Sequence, residues 1–182
     1  MKYKWWIIIA IVLFGIGIAF GLNAPPSIAS LLSEELTALE EFGAILAPFT
    51  LSTALFIFLK NVVVLLFSFA LSPIFCLVPI LTLAVNGWLV ALVSTMIVKE
   101  ESLVFVLAGL LPHGIIELPA LFIGEAAALS FGAMAVIALF KKEKRNLLLP
   151  SLKQNLKYLS IALALFLPAA IIETYVTPLL IT

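Results

Sequence analysis

His113 is the only histidine in the chain, and Glu117 follows it four residues later in Leu111-Pro-His-Gly-Ile-Ile-Glu-Leu-Pro119. On a helix, positions i and i+4 share a face, so the imidazole and the carboxylate can meet. Such a pair can relay a proton, hold a cation or act as a hydrogen-bonded latch, because histidine titrates near neutrality. The structural alternative is that the two groups satisfy each other and the backbone freed by Pro112 and Pro119. Ionisable groups inside apolar membrane segments usually face a protein interior or a wet cavity, which keeps the functional reading open. Other polar residues interrupt apolar runs in the same way. Asn61, Asn86, His113 and Glu117 make up the candidate buried cluster, with Lys60 and Glu125 as additions. Glu125 lies eight residues beyond Glu117 and is turned about 80° from it on an ideal helix. A continuous path between those carboxylates therefore needs help from other helices.

Several chemistries lack their parts. A metalloprotease of the HExxH type needs two histidines, and the order here is HGIIE. Zinc held by His113, Glu117 and Glu125 falls short of ligands unless subunits share them. No G-x-S-x-G nucleophile elbow occurs. Cys76 is the only cysteine, so no intramolecular disulfide or cysteine-rich metal site is available. The chain has no aspartate. The reading is a non-enzymatic protein without cofactor or metal. Its basic residues are accounted for by topology and anionic lipid, with no nucleic-acid partner.

The elements that position these residues are helices. The chain is 64% hydrophobic and 11% charged, with mean hydropathy +1.29. Uncharged apolar stretches of about 20 residues cross a bilayer as helices. The expected fold is all-α, a polytopic integral membrane protein of about five transmembrane helices forming one domain. The spans are expected at residues 5–22, 49–71, 74–98, 115–140 and 159–181. Residues 27–41 read as an interfacial amphipathic helix after the first span, carrying Glu34, Glu35, Glu40 and Glu41. From Leu103 to Phe140 there is no conventional turn, and one straight helix would be about 57 Å long. The break expected at Pro112-His-Gly114 makes residues 103–111 a re-entrant half-helix, of the sort that builds sites in many transporters. Gly124, Ala128 and Gly132 recur every four residues and invite close approach of another helix, from this chain or a second subunit. That face is the basis for expecting a homodimer.

Charge sets the orientation. With the N-terminus in the cytoplasm and five crossings, Lys2, Lys4, Lys141, Lys142, Lys144, Arg145, Lys153 and Lys157 fall inside. The acidic residues Glu34, Glu35, Glu40, Glu41, Glu100, Glu101 and Glu173 fall outside. The positive-inside rule favours this arrangement over its inverse. The expected location is the cell membrane, with the C-terminus extracytoplasmic.

The run His113-Gly-Ile-Ile-Glu-Leu-Pro-Ala120, continued by Leu-Phe-Ile-Gly-Glu-Ala-Ala-Ala-Leu-Ser-Phe-Gly132, resembles the signature of the stage II sporulation protein M family. The resemblance extends to Phe58-Leu-Lys-Asn61 and Asn86-Gly87 and covers roughly residues 50–180. It departs at Lys60, where the family tends to asparagine, and at Glu125, where small residues are usual. The resemblance implies a small polytopic membrane protein serving as a scaffold or anchor for membrane or extracytoplasmic protein partners. The rival expectation is a transporter or channel for an ion or small solute, using Asn61, Asn86, His113 and Glu117. Flux lost in Glu117→Gln would favour transport; stable co-purifying partners would favour the scaffold.

Overall fold

The computed structural model describes residues 2–25, 28 and 47–181, and the expected interfacial helix at 27–41 lies outside the described residues except for Ile28. Five long helices make up the described chain: α1 (Tyr3–Leu22), α2 (Leu51–Leu71), α3 (Leu77–Glu100), α4 (Leu103–Phe140) and α5 (Leu148–Tyr175). Short 3₁₀ turns, Lys142–Leu147 and Thr177–Leu180, flank α5, and no strand occurs among the described residues. All five long helices are long and apolar enough to cross a membrane. Their outward faces stay apolar, with Phe20, Val63, Phe67, Val104 and Ile115 all exposed. A helix that is hydrophobic all round belongs in a core or in lipid.

Helix starts follow from capping. Thr50 accepts a hydrogen bond from the Thr53 amide at the start of α2, and Ser102 does the same for Phe105 at the start of α4. Each hydroxyl satisfies one of the amides that a helix N-terminus leaves without a partner. The α2–α3 turn is tight. Phe75 and Cys76 take positive φ, 51° and 57°, and the Cys76 thiol donates to the Leu129 carbonyl.

The half-helix expected at 103–111 is not a separate element. α4 runs unbroken for 38 residues through Pro112, Gly114 and Pro119. Each proline removes one amide donor and crowds the carbonyl four residues back, yet neighbouring groups in a packed bundle can absorb such losses without ending a helix. The excess length is accommodated by overshoot. Gly132 packs against Ser72 at the end of α2, so the last turns of α4 project past it together with the start of α5. The basic segment Lys141–Arg145 caps that projection.

The final span also differs from the expected 159–181. α5 begins at Leu148, absorbing the stretch that carries Lys153 and Lys157, and ends at Tyr175. Pro150 falls in its first turn, where a missing amide costs nothing. Pro178 restrains Thr177 and prevents the helix from continuing.

Two pairs dominate the packing: α4 with α5, and α1 with α3. α1 and α3 run parallel, since Gly17 lies against Ala84 and Gly21, one turn on, against Trp88 and Ala91. Gly17 and Gly21 of α1 meet the Ala84 and Trp88 carbonyls, and Gly87 of α3 meets the Phe14 carbonyl. Backbone lies on backbone here, which only residues without a Cβ allow. α2 lies against α4 and α5. Gly124 receives the Leu65 side chain, Ala128 is fully buried, and Gly132 receives Ser72. The small-residue face of α4 is therefore filled by α2 of the same chain. Tyr3 ties α1 to the α4–α5 pair, donating to the Ile123 carbonyl at 2.5 Å and stacking on Tyr158 with ring centroids 3.5 Å apart.

Candidate functional site

Asn61 stands at the middle of α2 and donates from Nδ2 to Glu117 Oε1 at 2.9 Å. One turn earlier on α4, His113 Nε2 lies 3.8 Å from Glu117 Oε2. Continuity of α4 through Pro112-His-Gly114 is what puts these two groups on one face. The other ring nitrogen, Nδ1, is 3.3 Å from Thr177 Oγ1 in the 3₁₀ turn after α5. The Thr177 hydroxyl in turn donates to the Ile172 carbonyl. With the Thr177 proton on the Ile172 carbonyl, Thr177 accepts from Nδ1–H, and this is the tautomer that leaves Nε2 free to act as a ligand on the Glu117 side.

Glu173 completes the group. One ligand atom each from His113, Glu117 and Glu173 lies within 4.8 Å of the other two. Sequence reasoning places Glu173 near the far end of the last span and leaves it out of the site. The missed signal is depth: α4 and α5 are antiparallel, so a carboxylate near the end of α5 reaches a histidine near the start of α4. Thr177 has no signal in sequence beyond its nearness to Pro178.

Two cavities border this group and share Leu89 and Val90 in their linings. The first, about 410 Å³, is lined by His113, Glu173 and Thr177 with Leu89, Val90 and Phe105. The second, about 340 Å³, is lined by Lys60, Asn61, Asn86 and Glu117 together with the apolar Phe14, Leu65, Leu121 and Phe166. Asn86 faces the same cavity as Glu117, although its own amide donates to the Thr82 carbonyl one turn back. The structure therefore gathers Asn61, His113 and Glu117 in direct contact or near it, with Lys60 and Asn86 on the cavity wall.

Glu125 is elsewhere. It lies at 0% exposure between α4 and α2, where Ser68 donates to Oε2 at 2.6 Å and Oε1 has no partner. The eight-residue step from Glu117 is matched by the seven-residue step from Asn61 to Ser68, so both carboxylates face α2. Leu65 and Leu121 stand between the two levels. Ser68→Ala should lower stability by about 1–3 kcal/mol, the cost of stranding a buried acceptor. Ser68→Ala combined with Glu125→Leu should recover most of that loss. Thermal unfolding in detergent reads both, and a neutral single variant would show that Ser68 does not satisfy Glu125.

The family model for stage II sporulation protein M matches residues 10–178, from within α1 to the turn that holds Thr177. The chain belongs to this family. An uncharacterized protein of Methanocaldococcus jannaschii is 28% identical over 177 residues, covering 97% of this chain and 96% of that protein. No solved structure matches the chain. In this stage II sporulation protein M family member, the matched region contains every residue of the His113–Glu117–Glu173 group.

Proposed function

We propose that this protein is a multi-pass membrane protein that binds a cation at the His113–Glu117–Glu173 group and passes it across the bilayer. The observation that carries the reading is that this group borders two cavities, His113 and Glu173 lining one and Glu117 the other. α2 has 21 residues and is about as long as the hydrocarbon is thick, so Asn61 and Glu117 fall near mid-membrane. Ionisable groups at that depth, bordered by cavities, mark ion pathways. The charge distribution favours an N-terminus in the cytoplasm. The first cavity then lies on the outer side of the group, and the apolar lining of the second closes the route inward. Purified protein in liposomes tests this directly. Cation or proton flux above that of protein-free vesicles is expected. Flux equal to empty vesicles for protons, alkali ions and first-row divalent ions would refute it.

A scaffold is the second reading, favoured by the projecting end of the α4–α5 pair. Leu139, Phe140 and Leu149 are exposed there beside Lys141, Lys142, Lys144 and Arg145, a mixed apolar and basic tip suited to protein contact. On that reading Glu117→Gln alters stability alone, and no flux accompanies the wild type.

A further inference from the structure

We propose that His113, Glu117 and Glu173 bind a divalent first-row metal ion of the Zn²⁺ or Mn²⁺ class through one imidazole nitrogen and two carboxylates, with water from the first cavity completing the coordination that three protein donors leave open. The inference rests on the cation-binding reading above and names its cation. Several observations point the same way. Ligand arms of about 2.0–2.2 Å at a tetrahedral angle set two donor atoms about 3.4 Å apart. His113 Nε2 and Glu117 Oε2 are 3.8 Å apart, beyond an ordinary hydrogen bond but close to the span of two donors around one ion. One Glu173 carboxylate oxygen lies within 4.8 Å of the other two donors, near enough for a side-chain adjustment to bring it onto the same ion.

The surrounding groups orient the donors. Thr177 Oγ1 lies 3.3 Å from Nδ1, and in the Nδ1–H tautomer this contact holds the ring with its Nε2 lone pair towards the site. Asn61 holds the other oxygen of Glu117. Metal-binding histidines and carboxylates are commonly fixed by such outer partners.

Charge selects the valence. The two carboxylates balance one divalent ion among the direct donors, while Lys60, on the wall of the second cavity, is exposed and stands outside the donor set. Donor type narrows the element. Imidazole suits Zn²⁺, Fe²⁺ and their neighbours more than Mg²⁺ or Ca²⁺, and the site offers no thiolate or thioether for Cu⁺. The first cavity, which His113 and Glu173 line, gives an ion a way to the site.

The test uses the full chain, purified without a histidine tag and stripped with chelator. Because His113 is the only histidine, any imidazole ligation seen is its own. Calorimetric titration with Zn²⁺ should give one site per chain. His113→Ala and Glu173→Gln should each weaken binding at least about 100-fold, and Thr177→Val about 10–100-fold, the usual loss when an outer partner is removed. Should a variant fail to fold, Zn X-ray absorption on the wild type decides, with one imidazole and carboxylate oxygens expected. No binding by the wild type at about 100-fold molar excess of Zn²⁺ overturns the proposal, as does binding undiminished in folded variants or ligation lacking imidazole. The liposome assay separates the two readings. Proton or alkali flux without Zn²⁺ binding sinks the metal site alone, whereas Zn²⁺ binding without flux sinks transport alone.

Discussion

Gly87→Leu is expected to yield little or no folded, monodisperse protein in detergent, and Gly87→Ala a lower thermal midpoint. A Cβ built at Gly87 runs into the Phe14 carbonyl and the Ile18 amide, which are backbone atoms. No rotamer change can relieve that overlap, so α1 and α3 must separate. Overpacking of a tight contact costs about 1–3 kcal/mol even for small additions. Separation costs more, because it loosens the whole seam formed by Gly17, Gly21 and Gly87, and the dispersion attraction forfeited along a helix pair is large in sum. Gly15→Leu and Gly114→Leu provide the comparison, since a Cβ at either position meets nothing within 4 Å. Size-exclusion profiles and thermal unfolding of the four variants read the difference. Equal stability of Gly87→Leu and Gly15→Leu would mean that the α1–α3 packing is not as close as described.

Glu117→Gln should abolish flux, by about 100-fold or more, while leaving the protein folded. The amide keeps the shape of the side chain and an oxygen to accept from Asn61, so packing between α2 and α4 survives. What disappears is the negative charge facing His113 Nε2. A cation in a low-dielectric site needs that charge far more than it would in water. Asn61→Ala should have a smaller effect, since it frees Glu117 to move without neutralising it. Proteoliposome rates, normalised to folded protein, check both. Wild-type rates in Glu117→Gln would remove the group from the pathway.

The helical class and the positions of α1, α2 and α3 are legible from apolar run length, because an uncharged apolar run of about 20 residues reads as one long helix. The His113–Glu117 pair is legible for a similar reason: four-residue spacing has one meaning on a helix. The expected half-helix at 103–111 fails because proline and glycine weaken a helix only locally, and α4 continues through them into its buried stretch from Ala120 to Gly132. Glu173 escapes sequence reasoning because its approach to His113 depends on how α5 sits against α4, a relation between elements far apart in the chain. The α1–α3 seam escapes it too, although Gly17-x-x-x-Gly21 stands in plain sight. Spacing alone does not say which small-residue face meets which helix: Gly124, Ala128 and Gly132, the more conspicuous set, serve α2.

The parallel pairing of α1 with α3 has a consequence for synthesis on the ribosome. α1 emerges first, but the partner that fills its glycine face is made only after α2 is complete. For a protein that inserts in a membrane as proposed, α1 would wait in lipid until then, and its sequence suits waiting, since Trp5 to Leu22 contains no charged side chain and no side-chain amide. α2 is less patient. It brings Lys60, Asn61 and Ser68, and the carboxylates that Asn61 and Ser68 bond, Glu117 and Glu125, arrive on α4, two helices later. A chain arrested before α4 should therefore hold α1 firmly and α2 poorly, making the second helix the one most exposed to quality control during translation.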